Sequence, residues 1–239
     1  MPEVPKILWQ SYKSIDRLPV ESLPCIDSWL RLNPGWSYYF CSDEDIEAFF
    51  RHYHGGSFLS LFEAMPLAVM KADLWRYAVL EEFGGFYADI DTICYFSLED
   101  WLDRQTGLHV ACEEEDTYFS QWAFGGPPHH CVFRTVLELI RERVERDGGV
   151  DQTMDHYVHH YTGPSVWSDA IRKHLGVEKA PGALADDRAL QRRREVRIYP
   201  PDHFNGTKIR HITASMFWRR LPGYESWQAQ RRDLANRLF

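Results

Sequence analysis

The chain has 239 residues, 44% apolar and 26% charged, enough for one sizeable core and far from the apolar poverty of a disordered chain. Its net charge of −8 argues against a general nucleic-acid binder. That sum hides a split: residues 1–170 hold 12 basic and 28 acidic side chains, whereas residues 171–239 hold 15 basic and 7 acidic.

The five cysteines (Cys25, Cys41, Cys94, Cys112, Cys131) are odd in number and contain no C-x-x-C pair. They predict reduced core thiols, not a disulfide frame or a zinc knuckle. The N-terminus lacks a charged segment followed by an apolar run, and no stretch approaches ~18 uninterrupted apolar residues. The expectation is a cytoplasmic protein without a signal peptide or transmembrane segment, or a soluble domain cut from a longer chain.

Lys6–Gln10 is a short apolar run entered from a proline, the form of a buried first strand. A helix is predicted over Glu21–Leu32, a break at Asn33-Pro-Gly35, and an aromatic strand over Trp36–Cys41. Ser42 with Asp45 forms a capping-box pattern that opens a helix to about Tyr53. The clearest helix runs from Pro66 to Phe83 and is closed by Gly84-Gly85, with an apolar face of Leu67, Met70, Leu74, Tyr77, Ala78 and Phe83. Phe86–Asp91 reads as a strand ending in acids. Further strands are predicted at Leu108–Cys112, Trp122–Phe124 and Val196–Tyr199, helices at Cys131–Arg146 and Pro164–Leu175, and an exposed loop over Ala183–Arg194. Strands alternating with helices predict one α/β domain.

Eighteen aspartates make about one D-x-D match by chance, and the chain has two. Asp43-Glu-Asp45 opens a helix, where carboxylates offset the helix dipole. Asp89-Ile-Asp91 ends a strand, where alternate side chains leave the same face and can converge on one cation. Two hard carboxylates suit Mn²⁺ or Mg²⁺, ions that bridge to phosphate oxygens. Upstream, Asp73, Arg76 and Tyr77 stand at i, i+3 and i+4, on one helix face leading into the Gly-Gly turn. A guanidinium there can fork two oxygens of a sugar or a phosphate.

The run from Lys71 to Asp91 resembles the sugar-nucleotide signature of glycosyltransferase family 32, and it is also similar to the core of the large glucosylating toxins. Pro5–Gln10 is similar to that family's P-K-I-I-H-Q strand, with Trp9 where a His is usual. Asn33-Pro-Gly-Trp36, Gly125-Gly-Pro-Pro-His129 and Thr162-Gly-Pro164 match further family elements, and His211 with Ser215 and Trp218 resembles a stretched H…S-W motif. The resemblance spans residues 4–220. It implies a single-domain GT-A (Rossmann-like) fold over residues 1–220 and retaining transfer of a hexose from a nucleoside diphosphate sugar (UDP or GDP) to a glycan, a lipid-linked sugar or a protein. It places Asp73 and Arg76 on the donor sugar and diphosphate, Asp89 between metal and ribose, and Asp91 on the metal. Trp9 falls near the base, Gln10 and Tyr87 near the donor, Trp218 on the substrate side, and His211 as a third metal ligand.

Other features weigh less. His156, His159 and His160 read as polar helix residues, because no H-E-x-x-H pattern completes a metal site. Glu113 is the member of the Glu113–Asp116 acidic run most suited to an acceptor-side role, and Trp122 shares that side. Trp29, Trp75 and Trp101 read as core. The tail Glu225–Phe239, within residues 221–239, predicts a basic amphipathic helix that either packs on its own domain or contacts an anionic membrane. Two alternatives stand beside the transferase: a catalytically silent GT-A-fold binding or effector protein, and a nucleotide-sugar hydrolase. A silent protein would be free to lose Asp73, Arg76, Asp89 or Asp91, and all four are present.

Overall fold

A computed structural model describes residues 3–114, 116–178 and 181–212. In chain order the elements are β1 (Ile7–Ser11), α1 (Ser22–Leu32), β2 (Ser37–Cys41), α2 (Asp43–His52), α3 (Leu59–Glu63), α4 (Ala68–Phe83), β3 (Gly85–Ala88) and β4 (Thr92–Cys94). There follow β5 (Leu108–Cys112), β6 (Phe119–Gly126), α5 (Cys131–Arg146), α6 (Tyr157–Tyr161), α7 (Pro164–Leu175), α8 (Pro181–Asp186), α9 (Arg188–Arg194), β7 (Val196–Tyr199) and β8 (Ile209–His211).

Six strands form one sheet in the order β2-β1-β3-β6-β5-β7. β1 runs parallel to β2 and β3, β5 runs parallel to β7, and β6 is antiparallel to both neighbours. The carboxyl ends of β1, β2, β3 and β5 therefore share one edge with the start of β6, the edge where open α/β sheets bind ligands. Both faces are covered. One carries Trp75, Tyr77, Phe124, Phe133 and Trp167 from α4, α5, α7 and the sheet; the other carries Leu8, Trp29, Phe86 and Phe204. β4 and β8 make a separate antiparallel pair at the site edge, with Thr92 opposite His211.

Most predicted elements form where expected, α2 with its reciprocal Ser42–Asp45 capping box. Four expectations are corrected. The helix over 66–83 is not amphipathic: its residues from Asp73 to Glu81 are all buried, while Phe83 is 46% exposed, because α4 is packed between the sheet and neighbouring helices. The stretch Ala183–Arg194 is two short helices, not a loop; Leu184, Ala185 and Leu190 are buried and the Asp187 side chain caps α9. β6 is longer than predicted and runs through Gly125-Gly126, where glycine is required: a Cβ on Gly125 would stand 2.6 Å from the Phe86 ring and 2.7 Å from the Gly85 carbonyl. Cys131 is exposed rather than core, while Cys25, Cys94 and Cys112 are buried as expected and all five are free thiols. No helix among the described residues is long and apolar enough to cross a membrane. Ser215, Trp218 and the segment 221–239 lie outside the described residues.

Candidate active site

The Gly84-Gly85 turn carries α4 directly into β3. Gly84 has φ +65° and Gly85 φ +106°, and a Cβ on Gly85 would lie 2.5 Å from the Ile7 carbonyl, so the turn brings β3 hard against β1. This tight entry sets the buried face of α4 beside the end of β3. The Arg76 guanidinium lies 3.2 Å from Asp73 Oδ1 and 3.3 Å from Asp89 Oδ1, donates through Nη1 to the Gln121 carbonyl at 3.0 Å, and stacks 4.6 Å from the Tyr87 ring centre. Its Nε is buried with no partner among the described residues. A surface Asp–Arg pair would be worth a few tenths of a kcal/mol; this one is 4% and 8% exposed and sits among aromatic rings.

Asp73 is held from the other side. Thr162 Oγ1 donates to its Oδ2 at 2.9 Å, the Tyr77 hydroxyl donates to the Thr162 carbonyl at 2.9 Å, and Gln121 Nε2 donates to that hydroxyl at 2.7 Å. Burial pushes the Asp73 carboxyl up to about 6 against the pull of Arg76 and Thr162. Thr162 opens the Thr-Gly-Pro turn, and sequence reasoning noticed that turn without giving it a role. Gln121 carried no sequence signal.

The acidic motif, predicted to end a strand over Phe86–Asp91, lies just beyond the strand that forms. β3 ends at Ala88, and Asp89-Ile-Asp91 forms the turn into β4. The reason lies in the backbone: the Asp89 carbonyl accepts from Gln10 Nε2 at 3.1 Å, Thr92 Oγ1 at 2.6 Å and the Thr92 amide at 3.2 Å, which bends the chain out of the sheet. The side chains of Asp89 and Asp91 still converge. The Tyr87 hydroxyl donates to Asp89 Oδ1 at 2.5 Å, and His211 Nε2 lies 2.9 Å from Asp91 Oδ1 and 4.0 Å from Asp89 Oδ2.

Asp89, Asp91 and His211 each offer a ligand atom, all within 4.8 Å of one another. Burial lowers the proton affinity of His211, yet its hydrogen bond to Asp91 and the charges of Asp91 and Asp89 outweigh this and raise it. Two carboxylates that favour a cationic imidazole would favour a metal cation in the same space. His211 Nδ1 is buried without a partner among the described residues, and the ring stacks on Trp122 at 5.0 Å. Carboxylate oxygens with one imidazole nitrogen fit Mn²⁺ or Mg²⁺.

Gln10 and Tyr87 thus contact Asp89, whereas Trp9 is held elsewhere. Its ring is 7% exposed, its N–H donates to the Gly84 carbonyl at 2.9 Å, and it packs on Tyr39, Phe83 and Trp75. Beside the site edge is a hollow of about 220 Å³ lined by residues that include Asp43, Ile46, Met65, Lys71 and Ala72. Glu113, after β5, is near enough for its charge to raise the proton affinity of His211.

Residues 19–108 match the family model described as "Glycosyltransferase sugar-binding region containing DXD motif". The initiation-specific alpha-1,6-mannosyltransferase of Schizosaccharomyces pombe is 27% identical over 202 residues, 75% of this chain and 50% of that protein. Inositol phosphoceramide mannosyltransferase 1 of the same organism is 25% identical over 144 residues, 59% of this chain and 44% of that protein. The chain spans about half the length of these curated relatives. Among solved structures, the PaToxG glycosyltransferase superposes with a TM-score of 0.55 at 16% identity, covering 73% of this chain and 72% of that one. The chain has a GT-A fold, and its residues 19–108 match the sugar-binding region containing the DXD motif of glycosyltransferases.

Proposed function

We propose that this protein is a metal-dependent, retaining hexosyltransferase that takes its sugar from a nucleoside diphosphate donor and passes it to a glycan, a lipid-linked sugar or a protein. The observation that carries the reading is the buried Asp73–Arg76–Asp89 network, which ends in an unpartnered guanidinium N–H beside the Asp89–Asp91–His211 cluster. A diphosphate needs a cation and a forked donor together, and both stand at the ligand-binding edge of the sheet.

In this reading Arg76 Nε binds a donor oxygen, while Asp73 accepts from sugar hydroxyls and is kept in place by Thr162. Asp89 faces the ribose and, with Asp91 and His211, would hold Mn²⁺ or Mg²⁺. Bound there, the ion neutralises the charge that builds on the departing diphosphate. Tyr87 fixes the Asp89 carboxylate, and Gln10 fixes its backbone. The hollow beside Asp43 and Ala72 suits the nucleoside end, and Glu113 and Trp122 lie toward the acceptor. Trp218 and the basic tail, outside the described residues, are read as a substrate contact and as a domain-packed or membrane-facing segment. Residues 1–220 are read as one domain.

The named relatives make mannose the first hexose to try. Purified protein with Mn²⁺, screened against GDP-mannose, UDP-glucose, UDP-galactose and UDP-N-acetylhexosamines, should turn over one donor preferentially and yield an α-linked product. Donor hydrolysis without transfer to any acceptor would favour the hydrolase instead.

A further inference from the structure

At the end of the sheet opposite the donor site, where β6 leaves and β5 and β7 begin, three side chains from two helices meet. His130 is the N-cap of α5, Cys131 is its first residue, and His174 lies in the last turn of α7. Cys131 Sγ is 3.1 Å from His174 Nδ1, the His130 and His174 ring centres are 5.3 Å apart, and one ligand atom from each residue lies within 4.8 Å of the others. We infer that His130, Cys131 and His174 form a second metal site, distinct from the D-x-D cluster, for a thiophilic ion of the zinc class.

The donor set selects the ion. Two imidazoles and a thiolate suit Zn²⁺, whereas the D-x-D site, with two carboxylates, suits harder ions. The spacing is close to what zinc requires: Zn–S of about 2.3 Å and Zn–N of about 2.0 Å at the tetrahedral angle put S and N about 3.5 Å apart.

The rings are also set for the task. His130 Nδ1 accepts only a long 3.4 Å contact from the Val132 amide. Its other nitrogen is directed at the Glu195 carbonyl, the kind of backbone partner that orients a metal-bound imidazole. Cys131 sits at the first position of a 16-residue helix; burial raises its thiol's proton affinity and the helix-end amides offset this only in part, so a bound cation would supply the remaining stabilisation of a thiolate. Because Cys131 is exposed, the fourth position faces water. An ion there would tie α5 to α7 beside the start of β7. A plain Cys–His hydrogen bond with an N-cap histidine would need no third partner and would bind no metal.

Cobalt(II) titration of the 239-residue chain carrying Asp91→Asn tests this with the D-x-D site disabled. One equivalent of Co²⁺ should give a thiolate-to-cobalt charge-transfer band with tetrahedral d–d bands, and Zn²⁺ should displace both. Adding Cys131→Ser should abolish the charge-transfer band, and adding His174→Asn should weaken Co²⁺ binding at least about tenfold. Cys131→Ser alone should leave donor turnover within about twofold of wild type, since the two sites occupy opposite ends of the sheet. No thiolate band at one equivalent, or a band that survives Cys131→Ser, overturns the proposal and leaves a hydrogen-bonded pair.

Discussion

Helix α4 buries two carboxylates that are equally hidden, Asp73 and Glu81, each 3% exposed. Glu81, at the end away from the site, accepts from the Tyr53 hydroxyl at 2.8 Å, His54 at 3.0 Å and Arg134 at 2.9 Å. Those partners overcome burial and lower its proton affinity below that of an ordinary glutamate. Asp73 has Arg76 and Thr162, yet burial wins and its carboxyl rises to about 6. The same helix thus holds one saturated charge, which anchors the fold, and one undersupplied charge beside an unpartnered donor, the pair to which the proposed function gives the ligand.

The largest expected effect breaks the site end of this contrast. Asp91→Asn should lower metal-dependent turnover at least about 100-fold with its thermal midpoint little changed, since Asp91 is partly exposed at the rim. Arg76→Lys keeps the charge but loses the fork, and should cost about tenfold or more in kcat/KM. At the other end, Glu81→Gln should destabilise the fold by on the order of 3 kcal/mol in chemical denaturation, because Arg134 and His54 lose their anion. Its kcat and KM at a permissive temperature should stay within about twofold of wild type, as it lies far from the site.

The subtlest effect carries the opposite sign. The folded-state affinity of Asp73 for a proton exceeds its unfolded value, so the folded chain binds more protons between the unfolded Asp range and about pH 6. Its ionisation therefore costs stability above about pH 6, and that cost fades as pH falls toward 4. Asp73→Asn should melt at or above wild type at pH 8, by about 1–3 kcal/mol, while losing turnover. Asp73→Asn and Glu81→Gln both melting well below wild type at pH 8 would erase the distinction.

How far this was readable in advance follows from which contacts are local. The helix, the Gly-Gly turn and the acidic turn are adjacent in sequence, so Asp73, Arg76, Asp89 and Asp91 could be grouped from spacing and family likeness. His211, 120 residues from Asp91, was found only through the resemblance, and the structure brings it to 2.9 Å. Glu81, His54 and Arg134 are joined across 27 and 53 residues with no motif among them, so the anchor was invisible. Trp9 shares a sheet face with Tyr87 and packs on Tyr39, Phe83 and Trp75, contacts that strand periodicity alone does not reveal. The helices α8 and α9 were missed because their charge outweighed a sparse apolar pattern, Leu184, Ala185 and Leu190, that tertiary burial makes decisive.

In the proposed function, Asp89, Asp91 and His211 hold a cation that, with Arg76, grips a nucleoside diphosphate. Calorimetric titration of the wild-type chain with UDP and GDP, in Mn²⁺ and in EDTA, tests it most directly. One nucleotide should bind in Mn²⁺, binding should vanish in EDTA, and Asp91→Asn should abolish it. Equal binding with and without the metal, or undiminished binding by Asp91→Asn, would contradict it.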